Sequence, residues 1–136
     1  MPTEPRVLAD FLGTWSLKKT IREANGRTAA FEGTAVWTAE NDGALYTERG
    51  TLTLAGGAAP LSAERRYRWT QALDVFFDDG RFFHRVPDQG GQAAHWCDPD
   101  QYDVTWGFES WPCFSAKWVV RGPRKDYEMM CRYAPA

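Results

Sequence analysis

The stretch GTWSLKKTIREANGRTAAFEGTAVW, residues 13–37, decides the fold. Side chains alternate in character on both sides of Asn25-Gly26-Arg27, a run with hairpin-turn chemistry. With that turn, Trp15, Leu17, Lys19 and Ile21 stand opposite Trp37, Ala35, Gly33 and Phe31. The other face carries Ser16, Lys18, Thr20, Glu32 and Thr34, with Val36 as an exception. One mostly apolar and one polar face mark an antiparallel sheet packed on a single side.

The same pattern extends outward along the chain. ENDG as the next turn sets Trp37, Ala35 and Gly33 against Tyr46, Glu48 and Gly50. AGGAAP as the third loop sets Tyr46, Glu48, Gly50 and Leu52 against Trp69, Tyr67, Arg65 and Ala63. A QAL turn followed by Asp79-Gly80 puts Val75 and Phe77 opposite His84 and Phe82. DQGG then brings His84 to His95 and Phe82 to Cys97, and DPDQ brings His95 to Val104 and Cys97 to Tyr102. Trp106, Phe114, Trp118, Tyr127 and Tyr133 continue the inner face, with GPRK as the last turn. A slip of one residue would reverse every facing, so agreement from strand to strand tests the assignment. About ten antiparallel strands result, and a sheet with one apolar face removes its edges by closing into a barrel. Helical spacing occurs only at the start, where Val7, Leu8, Phe11 and Leu12 lie between a Thr3 N-cap and a Gly13 stop. The expectation is an all-β barrel domain over 1–136, with a helix over 3–12 and the barrel over 13–134.

Composition limits function. The chain has 136 residues, 15% of them aromatic, and a formal net charge of −2. That length supports a core without staples, and that charge gives no footprint for nucleic acid or an acidic membrane. No apolar run reaches the roughly 18 residues of a membrane span, and MPTEPRVLAD lacks the pattern of a signal peptide. A cytoplasmic protein is expected. The three cysteines form no CxxC and read as small buried hydrophobes.

FLGTW, a short helix leading into a first strand with Gly13 and Trp15, resembles the Gly-x-Trp opening of lipocalins and their calycin relatives. The resemblance implies that Trp15 closes one end of the barrel and that a late-strand arginine packs across it, with Arg132 as the candidate. No helix-turn-helix lid follows the first strand, a departure from the intracellular fatty-acid-binding branch. Over nearly its whole length the chain also resembles a family of small bacterial proteins of unknown function with a calycin-like barrel. FLGTW, LYTERG, RRYRW, DGRFFH, AHWCDPDQYDV and GPRKDY carry that resemblance. It implies the barrel and brings no activity.

Several polar groups point inward. Lys19, Gly33, Gly50 and Arg65 share one row, with Glu48 as a diagonal neighbour. Buried charges need partners. The row is therefore either an internal Lys–Glu–Arg network or an anion pocket in which Arg65 and Lys19 grip a carboxylate or phosphate. His84, His95 and Cys97, near Tyr102 and Tyr67, form a second cluster. They read as hydrogen-bonded core histidines, as a ligand-binding or acid–base pair, or as a three-ligand metal site. Haem is disfavoured because no histidine lies on a late strand. On the outside, Phe76, Phe83 and Trp96 form one row, expected as a homodimer contact or as a patch covered by the N-terminal helix or a loop. Arg121, Arg124 and Lys125 in RGPRKD are solvated turn charges or an anion lure at the rim.

No GxSxG, phosphate loop or metalloprotease helix is present. The leading expectation is a barrel that binds a small amphipathic anion in its interior, without a cofactor. Lys19, Glu48, Arg65, Tyr67, His84 and His95 would contact that ligand. Trp37, Tyr46, Trp69, Trp106 and Trp118 would supply the apolar wall. The alternatives are a lyase- or isomerase-type enzyme using His84 and His95 with Tyr102 as acid, and a structural or regulatory dimer whose barrel is filled by its own side chains.

Overall fold

The computed structural model describes residues 3–136; Met1 and Pro2, the start of the expected 1–136 domain, lie outside the described residues. A single turn of helix, α1 (Leu8–Phe11), precedes ten strands. These are β1 (Gly13–Glu23), β2 (Thr28–Glu40), β3 (Gly43–Leu54), β4 (Leu61–Thr70), β5 (Asp74–Phe77), β6 (Phe82–Arg85), β7 (Gly91–Cys97), β8 (Asp100–Gly107), β9 (Phe114–Arg121) and β10 (Asp126–Pro135). All ladders are antiparallel and form one sheet in the order β6-β5-β4-β3-β2-β1-β10-β9-β8-β7. The first strand pairs with the last, and the two ends of the sheet, β6 and β7, meet at a seam without a ladder between them. Side chains fill the seam: Phe82 and Phe83 of β6 bring their rings to 5.9 and 6.0 Å from that of His95 on β7. The result is a nearly closed, lipocalin-like up-and-down barrel.

The expected facing is right on nine strands, while the register differs in three hairpins. Trp15 pairs with Ala35 rather than Trp37, Glu48 with Arg65 rather than Tyr67, and His95 with Tyr102 rather than Val104. Each turn sits one residue earlier than the sequence suggests. In the first, Glu23 and Arg27 close around Ala24-Asn25-Gly26, with the Glu23 amide donating to the Arg27 carbonyl at 2.8 Å. Moving a turn by one residue moves the register by two and leaves every side chain on its face. The ENDG hairpin has the expected register, with Trp37 opposite Tyr46.

β6 breaks the facing pattern. Val75 pairs with His84 and Phe76 with Phe82, so Phe83 is a bulge residue without a partner. Bulges concentrate at sheet edges, and this one turns both Phe83 and His84 inward, at 1% and 3% exposure. The expected outer row of Phe76, Phe83 and Trp96 is thereby corrected. Phe82 takes the outer position against Phe76, with ring centroids 5.6 Å apart, and Trp96 stands exposed on β7.

The helix is also shorter than expected. The amide of Val7 donates to the Asp10 carboxylate at 3.0 Å, which starts the turn at Leu8. Thr3 does not cap it: its hydroxyl donates to the carbonyl of Gln89, and the Arg6 amide donates to that of Asp88, both at 2.7 Å. Residues 3–6 thus run along the β6–β7 connection.

One end of the barrel is solid. Phe11 from α1 drops into it and meets Trp37, Trp69, Phe108, Trp111 and Phe114 with ring centroids 5.2–6.0 Å apart. Trp15 contacts Trp37, Trp111 and Phe114, and its indole N–H donates to the Phe11 carbonyl at 2.7 Å. Arg132 is not its partner; it lies exposed on the outer face between Lys18 and Ser115. The arginine at this end is Arg6, stacked over Trp111 at 4.5 Å. Aromatic rings in edge-to-face contact fill a taper densely, which leaves the opposite end of the barrel as the place for a site.

Candidate functional site

The opposite end holds a cavity of about 780 Å³. Lys19, Glu48 and Tyr67 line its inner part. Arg27 near the β1–β2 turn, Leu54 and Ala55 at the β3–β4 loop and Lys125 of the β9–β10 turn lie toward the mouth. Two adjacent glycines shape this part of the barrel. Gly33 and Gly50 face each other across β2 and β3 so closely that a Cβ at Gly33 would fall 2.0 Å from the Arg49 carbonyl oxygen. A Cβ on Gly50 would meet the Phe31 ring at 2.6 Å. The glycine notch is therefore occupied by Phe31, which has Lys19 Nζ 5.1 Å from its ring.

A chain of four buried polar groups runs from the cavity into the aromatic plug. Lys19 donates to one carboxylate oxygen of Glu48 and the Tyr46 hydroxyl to the other, both at 2.5 Å. Tyr46 and Tyr133 share a further hydrogen bond at 2.8 Å. Burial, reinforced by the negative Glu48, holds the Tyr46 phenol far above its ordinary pKa, and burial is also the first cause at Tyr133. Both phenols stay protonated. The Lys19 charge is thus matched by Glu48, and both oxygens of Glu48 are engaged.

Arg65 is left over. It stands opposite Glu48 in the β3–β4 ladder and faces the cavity, yet no described carboxylate lies within 4.0 Å of it. The residue as a whole is exposed to solvent. Burial disfavours its charge, but Tyr67, Glu48 and Tyr127 outweigh that and hold its pKa above the usual value. Burial raises the pKa of Tyr67 and of Tyr127, so both are hydroxyl donors beside Arg65. At the rim, Lys125 donates to the Tyr102 hydroxyl at 3.0 Å and pairs with Asp100 at 3.2 Å.

Of the expected site residues, Lys19, Glu48, Arg65, Tyr67, Tyr102 and Trp118 meet at this cavity. Trp37, Tyr46, Trp69 and Trp106 are buried in the plug instead, outside its lining. His84 and His95 are outside the lining as well. They are not a ladder pair, because β6 and β7 do not pair. His84 Nε2 accepts from the Trp106 indole at 3.2 Å, and burial, with His95 second, lowers its pKa to about 4. It is a neutral core histidine. Cys97 lies 3.6 Å from an Arg81 guanidinium nitrogen, and among the described residues no three His, Cys, Asp or Glu side chains converge for a metal. The three-ligand set of His84, His95 and Cys97 is not formed. Tyr127 and Phe31 went unnoticed as site residues, although the alternation that finds Arg65 also turns both of them inward.

A calycin-type barrel, plugged at one end and hollow at the other, with Arg65 facing the hollow and free of an ion pair among the described residues, is the class that fold and site define. The chain belongs to a family of unknown function (DUF6314), whose model matches residues 11–135. No curated protein matches it. Among solved structures it is similar to the S-type phycobiliprotein lyase CPES from Guillardia theta, with 6% identity, a TM-score of 0.63 and coverage of 95% of this chain and 90% of that one. At that identity the likeness concerns the fold. No helix among the described residues is long and apolar enough to cross a membrane.

Proposed function

We propose that this protein binds a small amphipathic anion in the open end of its barrel, with Arg65 as the anchor of the acid group. The observation that carries the reading is the unpaired Arg65 guanidinium inside a cavity whose Lys19 is already neutralised by Glu48. A guanidinium fork beside phenol donors suits a carboxylate or a phosphate. Tyr67 and Tyr127, held protonated, offer donors and no base, which favours holding a ligand over proton abstraction. The similar barrel of a phycobiliprotein lyase agrees with a small molecule inside this fold. Native mass spectrometry of the protein from its own host tests the reading. A bound acid retained by the parent chain and lost from Arg65→Gln is expected. Equal retention by both chains would place the ligand elsewhere.

A further inference from the structure

Building on that reading, we infer that the ligand's body is a flat aromatic or conjugated system rather than an acyl chain. The cavity has two unlike walls. Tyr67, Phe77, Tyr102 and Trp118, from β4, β5, β8 and β9, form a continuous aromatic surface. Successive ring centroids along it are 6.2, 6.3 and 6.4 Å apart and successive ring planes are tilted by 47°, 69° and 66°, so a planar ligand meets ring faces and edges in turn. Ile21, Leu52, Leu54 and Met129 form a mainly aliphatic side, interrupted by the single ring of Phe31.

An acyl chain gains from apolar area removed from water, and it gains equally from either wall. A planar π-system gains ring-to-ring contact on top of that area. The aromatic surface spans strands on both sides of the seam, so a flat body has room to lie along it within the 780 Å³ space. Arg65 belongs to the same strand and the same face as Tyr67, two residues away. It therefore stands at the edge of the aromatic surface, where an acid group projecting in the plane of the ligand would meet the guanidinium fork.

The test compares 1-pyrenebutyrate with palmitate below its micellar concentration, by calorimetric titration. About tenfold tighter binding of pyrenebutyrate is expected from the added ring contacts. Trp118→Leu and, as a second variant, Phe77→Leu should each weaken pyrenebutyrate about fivefold and leave palmitate within about twofold. Arg65→Gln should weaken both ligands. Palmitate binding as tightly as pyrenebutyrate, or indifference of pyrenebutyrate to both wall variants, would overturn the flat-body inference while leaving interior anion binding intact. Absence of binding by either probe, or binding indifferent to Arg65→Gln, would overturn the interior-binding reading and this inference with it.

Discussion

Arg65 stands directly across the β3–β4 ladder from Glu48 and forms no ion pair with it, while Lys19 and Tyr46 each donate to one oxygen of that carboxylate. This arrangement separates a stability role from a binding role among three charged residues. Lys19 and Glu48 are 6% and 4% exposed. Lys19→Met leaves Glu48 as an uncompensated buried charge and should cost about 3–5 kcal/mol. Arg65→Gln removes a solvent-accessible, unpaired side chain and should cost less than about 1 kcal/mol. Urea unfolding of the two variants measures the contrast. Equal losses would mean that Arg65 belongs to the internal network.

The Gly33–Gly50 pair sets the approach of β2 and β3. A methyl on Gly50 would lie 2.3 Å from the Glu32 carbonyl oxygen and 2.8 Å from the Gly33 Cα, both backbone atoms that a side-chain rotation cannot move. Gly50→Ala should therefore destabilise by about 1–3 kcal/mol, the range for overpacked sites. The same substitution at Gly57, whose added Cβ meets nothing within 4 Å but whose φ is +87°, meets backbone strain alone. Its cost should be about 1 kcal/mol. Thermal midpoints of the two variants should fall in that order.

The bulge in β6 makes opposite predictions for two aromatics expected to share a surface. Phe83 is 1% exposed and touches Phe77, Tyr102 and Trp118. Phe83→Ala should cost about 3–5 kcal/mol as a core truncation. Trp96 is 59% exposed, and Trp96→Ser should change stability by about 0.5 kcal/mol or less. Denaturation midpoints check both, and a small effect at Phe83 would contradict the bulge.

That contrast also marks what alternation reveals in this chain. Facing is legible wherever apolar and polar residues alternate, as in Trp15-Ser16-Leu17-Lys18. In Phe82-Phe83-His84 two adjacent phenylalanines break the apolar–polar alternation, so the pattern accepts a bulge or its absence equally. Register depends on the turn, and Asn25-Gly26 supports turns centred on either of two neighbouring residues. Arg65, Tyr67 and Trp118 were legible as inward-facing, since facing survives a register error of two. The isolation of Arg65 was not legible, because alternation puts Lys19, Glu48 and Arg65 on one face without saying which cation the carboxylate takes. Nor does alternation tell a side chain in the plug from one at the cavity. That distinction depends on depth along the barrel, and Phe11 of α1 decides which end is filled.

The three thiols should differ in reactivity. Cys113 is exposed and Cys97 half-buried, whereas Cys131 is 1% exposed and burial pushes its thiol up to about 12. Thiolate is the reactive form. An aromatic disulfide reagent at pH 8 should therefore titrate Cys113 and Cys97 in the native protein and reach Cys131 only after denaturation. Rapid native labelling of Cys131 would show that β10 opens beside Lys19.

His84 makes the fold sensitive to mild acid. Its folded pKa of about 4 lies below the ordinary 6.5 because its ring is buried, with His95 adding a smaller effect. Between these values the unfolded chain binds a proton that the folded chain refuses, so stability rises with pH through this window. The contribution is complete above about pH 6.5 and lost as pH falls toward about 4, with a ceiling of about 3 kcal/mol. Carboxylates such as Asp74, whose pKa is lowered first by its hydrogen bond from Arg85, lose their stabilisation at more acid pH than His84 begins to titrate. His84→Gln removes the titrating group and keeps an acceptor for the Trp106 indole. Urea unfolding at pH 7.5, 6.5, 5.5 and 4.5 should show a steep loss in the parent chain and a flatter profile in the variant. Identical slopes would mean that His84 takes up its proton in the folded barrel as readily as in the unfolded chain, and its ring would then have to be in contact with water.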